Sequence, residues 1–224
     1  MAFQWSAHAA HIQQLYRPWH PDDGYAESAI AAVETYLGLR FPICLRQFYR
    51  AWGARNDLAR TNQVLLSLDQ VFLQSDALVI CAENQWVSYW AIPCNALGQD
   101  DPPVVTAWNE DPPLIWRPSH LHLSHFLDYL TYMHAFDGGA MHGGYSREPI
   151  TNDLWLRMCE YGHIQLLPTV PPWLVSDAAS QPWSLILGEG YAMHGVGFVG
   201  VAAETSARLD DISQALQITW QPRW

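Results

Sequence analysis

The first candidate site in the sequence is the histidine-rich run of residues 119–125. It contains His120, His122 and His125, and a His-x-His pair on a strand would place both imidazoles on one face, as in zinc sites. If a helix begins at Ser124, however, His125 projects elsewhere, and no glutamate or cysteine stands nearby at metal-ligand spacing. We therefore predict that these histidines are capping or surface residues, and that the chain has no metal and no cofactor.

Two further arrangements could support catalysis. Cys44 lies just after Pro42 near the start of a predicted helix, where the helix dipole can lower a thiol pKa. Its neighbours are mostly apolar, which favours a core cysteine. Glu83 and Asp101 could form a general acid–base pair, whereas a simpler interpretation is that Glu83 and Asn84 satisfy backbone groups of a turn. We predict that the protein is not an enzyme and has no catalytic residues.

The basic residues exclude several enzyme classes. All 11 are arginines, and without lysine there is no Schiff-base chemistry, no pyridoxal-phosphate anchor and no P-loop lysine. The glycine pairs 138–139 and 143–144 resemble a phosphate-binding loop, but they follow a predicted helix instead of linking a strand to a helix. We predict a flexible joint at this position.

Negative charge is concentrated in the middle of the chain. The net charge is −11, and residues 56–137 contribute −8 of it, from 10 acidic residues and 2 arginines. The turn acids of this segment that stand closest to Trp108 in sequence are Asp100, Asp101, Glu110 and Asp111. Such a field attracts a basic protein and disfavours nucleic acid and anionic membranes.

Tryptophan is unusually frequent, with 12 residues in a chain of 224. Tryptophan is large and seldom fully buried, so we expect some of these side chains at an interface, with Trp108 and Trp116 as candidate anchors. The four cysteines show no CxxC or zinc-knuckle spacing, and we expect neither a signal peptide nor a membrane-spanning segment. These features predict a cytoplasmic protein.

Hydrophobic periodicity predicts helices and strands in separate groups. Helices are expected over residues 26–37, 43–52, 123–136, 151–162 and 206–218. Strands are expected over residues 64–73, leading into a helical turn, and over 78–84, 86–92, 102–108, 114–116, 184–193 and 195–204. This order predicts an α+β fold, with a central antiparallel sheet flanked by helices. We place a core in residues 1–137 and expect residues 138–224 to pack on it as one continuous domain.

Short patterns are scattered over about residues 26–137: Leu37-Gly38, Phe41-Pro42, Phe48-Tyr49, Gly53, Glu83-Asn84-Gln85, Trp90 and Asp101-Pro102-Pro103-Val104. In these patterns the chain resembles the SUKH superfamily, also called SMI1/KNR4. The chain departs from the family where Phe41 replaces the usual leucine and where Trp52-Gly53-Ala54 replaces the usual Asn-Gly. The resemblance implies an α+β fold and, in bacteria, service as an immunity protein against polymorphic or contact-dependent toxins, many of which are nucleases.

The residues and the resemblance together lead to one expected function. We expect a non-catalytic bacterial immunity protein that occludes a basic protein toxin. Its partner-binding residues would be Asp100, Asp101, Trp108, Glu110, Asp111 and Trp116. The alternatives are a SUKH-like scaffold or ligand-binding protein with a Trp-lined cleft, and a small hydrolase that uses histidine and aspartate.

Overall fold

The fold is divided into two compact units. The computed structural model describes residues 9–55, 57, 63–109, 113–147, 149–166, 184–196 and 198–221. Unit 1 contains Trp19–Leu130, and unit 2 contains His8–Pro18 together with Thr131–Trp224. The expectation that the chain forms one continuous domain stays a prediction.

Helices and strands alternate in groups along the chain. The helices are α1 (Ala9–Leu15), α2 (Glu27–Leu37), α3 (Ile43–Trp52), α4 (Leu123–His134), α5 (Asn152–Tyr161) and α6 (Ser206–Leu216). The strands of unit 1 are β1 (Gln63–Leu65), β2 (Phe72–Gln74), β3 (Ala77–Glu83), β4 (Ser88–Pro93), β5 (Pro103–Trp108) and β6 (Arg117–His122). The strands of unit 2 are β7 (His142–Tyr145), β8 (His163–Leu166), β9 (Ser184–Gly188), β10 (Tyr191–Val196) and β11 (Phe198–Ala203).

Unit 1 is organised around an antiparallel sheet of six strands. The order is β1-β3-β4-β5-β6, and β2 also pairs with β3. Strand β4 is central, since it pairs with β3 on one side and β5 on the other. Its four middle residues are buried, so both of its faces are covered, as its apolar sequence predicts. Trp90 from this strand is 1% exposed and stacks on Phe126 of α4 with ring centroids 6.3 Å apart.

The helices α2 and α3 begin and end where the sequence predicts. Helix α2 stops because Gly38 adopts a left-handed conformation, with φ of 69°, that other residues rarely reach. Helix α3 buries one apolar face, and its Tyr49 hydroxyl donates to the carbonyl of Leu66 at 2.8 Å. Helical spacing of apolar residues therefore identified the buried side of α3 correctly.

Unit 2 has its own sheet and core. Its five antiparallel strands lie in the order β7-β11-β10-β9-β8. The buried cluster of this unit combines residues of α5, α6 and the sheet with Trp220, whose indole N–H donates to Leu209 O at 3.1 Å. Threonines cap α5 and α6, since Thr151 accepts from Leu154 N and Thr205 accepts from Arg208 N, each at 3.1 Å.

The α+β prediction is confirmed, with an antiparallel sheet in each unit. Within the described residues, no helix has the length and apolar character needed to cross a membrane. Several local predictions differ from the structure. Residues 114–116 are not a strand, because Leu114 N and the Trp116 indole donate to Ser75 instead of to a sheet. Gly143 and Gly144 lie in β7 and pair with β11, so they do not form a flexible joint.

Two further differences concern the number of strands. Residues 64–73 hold two short strands, β1 and β2, which pair with different parts of β3. Residues 184–203 form three strands, with Glu189-Gly190 turning β9 into β10. Both regions are mostly apolar, so the places where strands stop were set by pairing and not by the hydrophobic pattern. The prolines of residues 168–173 favour a loop, and this segment lies outside the described residues.

Candidate functional site

The Asp100-Asp101 turn connects the starts of two helices. The carboxylate of Asp101 accepts from the backbone N–H of Ser124 at 2.8 Å and from its hydroxyl at 2.7 Å. A carboxylate at this position stabilises the N-terminus of α4, whose exposed N–H groups carry partial positive charge. The carbonyl of Asp100 accepts from Cys44 N at 3.1 Å, at the start of α3. The oxygen that caps α4 therefore comes from Asp101, which lies outside the helix.

These contacts give Asp100 and Asp101 different roles. Both carboxylate oxygens of Asp101 are engaged by Ser124, and its side chain is half-buried. Asp100 uses only its backbone in the turn, and its side chain is exposed. Asp100 therefore has the geometry to meet a partner, whereas Asp101 holds the fold together. Glu110 and Asp111 lie outside the described residues.

The two predicted anchor tryptophans are placed differently. Trp108 ends β5 opposite Ser88 and is 52% exposed. Trp116 is half-buried, and its indole N–H donates to the carbonyl of Ser75 at 2.9 Å. Trp108 thus presents a large apolar surface at a strand end, while Trp116 fastens a connecting segment to the β2–β3 turn.

A third tryptophan, which the sequence placed inside a strand, projects from the β3–β4 turn. Trp86 has φ of 62° and is 44% exposed. Its N–H donates to the carbonyl of Glu83 at 2.8 Å, and its carbonyl accepts from the side-chain amide of Asn109 at the same distance. Asn109 N also donates to the carbonyl of Val87 at 2.8 Å. Asn109, the residue after Trp108, therefore fixes the backbone of both Trp86 and Val87.

The ring of Trp86 is supported by other aromatic side chains. Tyr89 lies 6.1 Å from it, centroid to centroid, in an edge-to-face arrangement, and Phe72 lies 5.9 Å from Tyr89 in the same kind of arrangement. Such pairs are favourable because the positive edge of one ring meets the negative face of the other. We call Trp86, Val87 and Trp108 the aromatic tip; their exposed fractions are 44%, 45% and 52%. The polar triplet 83–85 was the sequence signal for this turn.

The candidate catalytic residues are occupied by structural contacts. Cys44 is fully buried, and burial, with Asp101 and Asp128 as further negative charges, raises the pKa of its thiol well above its ordinary value. It is a core cysteine, as interpreted from its neighbours. Glu83 accepts from Gln85 N at 2.8 Å, so it satisfies turn backbone as expected, and Asp101 caps α4.

The histidine run supplies no metal geometry within the described structure. His122 Nδ1 lies 2.9 Å from the carbonyl of Asp101, and His125 is exposed. The side chain of His120 is outside the description. Among the described residues, no group of three or more histidine, cysteine, aspartate or glutamate side chains could hold a metal ion.

Unit 1 also has an open depression of about 510 Å³ beside the end of α2. Its lining residues are Ala31, Glu34, Thr35, Gly38, Leu39 and Arg40. The Glu34 carboxylate already accepts from Phe41 N at 2.7 Å and pairs with Arg46. No tryptophan lines this depression, so it is not the Trp-lined cleft of the ligand-binding alternative.

Comparison with known proteins does not extend this description. The chain matches no family model, no curated protein and no solved structure. The assignment of a function therefore depends on the geometry and charge of the described residues.

Proposed function

We propose that the protein is a bacterial immunity protein of SUKH type, which binds a basic protein toxin and blocks it sterically. The observation that carries this proposal is the exposure of Trp108, at 52%, on the end of a sheet strand in the acidic part of the chain. Tryptophan at the centre of a protein interface contributes more binding energy than most residues. A strand end holds such a side chain in place before binding, which reduces the entropy lost on association.

The acidic segment supplies the second part of the mechanism. Residues 56–137 carry −8 of the net charge of −11, and their exposed acids include Asp100. Negative potential of this kind accelerates encounter with a basic partner and orients it, and salt screens it over about 8 Å at physiological ionic strength. Charge would therefore govern the association rate, and Trp108 would govern the lifetime of the complex.

The proposal is tested by rescue of growth. The protein encoded directly upstream of this gene is expressed in bacteria with and without the present chain. We expect that expression to arrest growth and co-expression to restore it, and we expect the two purified proteins to form a complex. If the neighbouring product is harmless, or if it remains toxic beside a well-expressed immunity protein, the proposed function is wrong.

A charge-reversal variant tests the mechanism separately from the function. Asp100→Arg combined with Glu110→Arg removes two acids without touching the Asp101 cap. We expect association to slow by roughly 10-fold at low salt and its salt dependence to flatten. An unchanged association rate would show that these acids do not face the toxin. Stopped-flow fluorescence at several salt concentrations provides the measurement.

A further inference from the structure

We infer that the aromatic tip, and Trp86 above all, is the anchor of the toxin interface and receives an arginine-bearing surface of the partner. This inference rests on the proposed function and adds to it a site, a residue and a partner chemistry. Trp86 was not among the binding residues expected from the sequence.

The backbone of Trp86 is the first support. A bulky aromatic residue at φ of 62° is a conformational outlier, since side chains other than glycine, asparagine and aspartate seldom occupy the left-handed region. Such residues persist only where surrounding contacts enforce them, and they cluster at functional sites. Here the hydrogen bonds from Trp86 N to Glu83 O and from the Asn109 amide to Trp86 O enforce the conformation.

The exposure of the tip is the second support. Tyr89 holds the Trp86 ring in an edge-to-face contact, yet the ring is still 44% exposed. Val87 and Trp108 have similar exposed fractions. Asn109 donates to the carbonyls of Trp86 and Val87, which fixes the backbone of the turn. An apolar surface that is fixed in this way gives up little conformational freedom on binding, so its burial contributes efficiently to affinity.

The surrounding charge indicates the partner. Glu83 belongs to the same turn, and the segment that contains the tip carries −8. Arg117, opposite Thr106 on β6, is the one positive residue of this segment that the structure describes. Tryptophan faces attract guanidinium groups most strongly among the aromatic side chains, and nearby carboxylates reinforce that preference. The tip therefore fits a basic protein surface that presents arginine.

The test compares three tryptophan variants for binding to the protein encoded directly upstream, measured by biolayer interferometry. We expect Trp86→Ala to weaken the complex by ~30-fold or more, mainly through faster dissociation. Trp108→Ala, which lies on regular strand backbone, should weaken it by roughly 10-fold and serves if Trp86→Ala does not fold. Trp19→Ala is the matched control, because Trp19 is 53% exposed in the same unit, and it should stay within about 3-fold of wild type.

One charge variant determines whether the partner surface is basic or acidic. Arg117→Gln removes the positive charge on β6, the strand that pairs with β5, so a basic partner should associate roughly 2-fold faster at low salt. Slower association would identify an acidic partner and overturn the inferred chemistry.

The remaining outcomes distinguish the two proposals. If wild type binds while Trp86→Ala and Trp108→Ala bind equally well, the tip is not the anchor and Trp108 does not govern the lifetime of the complex, whereas rescue of growth would still support the proposed function. If wild type does not bind at all, both proposals are wrong. Sedimentation of the chain alone tests whether the tip binds a second copy of the chain. Self-association that Trp86→Ala abolishes would show that it does, and would overturn the inference.

Discussion

A hairpin turn with a residue at positive φ occurs in each unit. In unit 2 this residue is a glycine, and in the β3–β4 turn of unit 1 it is a tryptophan. In unit 2, Gly190 occupies this position between β9 and β10 with φ of 70°, is buried, and accepts from Glu204 N at 2.7 Å. In unit 1, Trp86 occupies it between β3 and β4 and is 44% exposed. Glycine adopts this conformation without steric cost, whereas tryptophan does not. We propose that the unit 2 turn serves stability and that the unit 1 turn serves contact.

The surroundings of the two turns agree with this interpretation. Nε2 of His11 in α1 lies 2.9 Å from Gly188 O and 3.0 Å from Tyr191 O, so the carbonyls on both sides of the unit 2 turn have partners. The hydrogen bonds of Asn109 fix the backbone of the unit 1 turn but leave Trp86 and Val87 open to solvent. A comparison of variants in the two units can therefore separate stability from binding.

The largest expected loss of stability in unit 1 comes from the Asp101 cap and not from the aromatic tip. Asp101→Ala removes the acceptor of both Ser124 hydrogen bonds and should lower the free energy of unfolding by about 2 kcal/mol. Asp100→Ala is the matched control and should change it by less than about 0.5 kcal/mol, because its side chain is exposed. Urea denaturation measures both, and equal effects would refute the structural role of Asp101.

The next prediction concerns the turn of unit 2. Gly190→Ala forces a side chain into the left-handed region and brings its Cβ within 2.6 Å of a Glu204 carboxylate oxygen. We expect a loss of about 1–2 kcal/mol in unfolding free energy and no change in toxin binding. Gly98→Ala, where a Cβ meets nothing within 4 Å, should be close to neutral in the same denaturation experiment. A Gly190→Ala variant as stable as wild type would contradict the comparison.

The strain at Trp86 predicts a smaller effect. Trp86→Gly and Trp86→Ala both remove the ring, but only glycine relieves the left-handed backbone. We therefore expect the glycine variant to be more stable than the alanine variant by about 1 kcal/mol, the reverse of the usual order. Thermal unfolding of the two variants decides this, and the usual order would mean that the turn holds no strain. Neither variant should bind the toxin as wild type does.

The smallest effect is expected at Tyr191, immediately after the unit 2 turn. Its hydroxyl donates to Tyr161 O at 2.9 Å, and desolvation by burial, reinforced by the neighbouring Tyr161, raises the pKa of Tyr191 to about 12. The folded state therefore keeps this proton more tightly than the unfolded state. Its stabilising contribution is complete below about pH 10 and is lost as the pH rises towards 12.

Tyr191→Phe isolates that contribution. The variant should lose about 1 kcal/mol or less at neutral pH, because one hydrogen bond is removed. Between pH 10 and 12 its stability should fall less steeply than that of wild type. Parallel slopes in urea titrations across this range would show that Tyr191 does not titrate differently in the folded protein.

The sequence predicted the features that depend on local signals. Helix α5 and helix α6 were located correctly because Thr151 and Thr205 precede apolar residues at helical spacing. Features that depend on distant partners were missed. The Asp101 cap lies 23 residues from Ser124, and residues 143–144 became a strand because β11 pairs with them. Pairing of this kind overrides the local preference of glycine for loops.

The candidate site, too, was predicted only where local signals were sufficient. Exposure of Trp108 agrees with the sequence-based expectation, but Trp86 was counted as part of a strand because its neighbours are apolar and aromatic. Its turn is set by Asn109, which is 23 residues away and reaches it only because β5 pairs with β4. No local pattern contains that information.

The most direct test of the central claim is the dissociation constant of the chain with the protein encoded directly upstream, measured by calorimetry at two salt concentrations. We predict a complex of about micromolar affinity or tighter, which weakens as salt rises because acidic and basic surfaces meet. The absence of binding at about 100 µM protein, or binding that strengthens with salt, would contradict the proposal that this acidic, tryptophan-bearing unit neutralises a basic toxin.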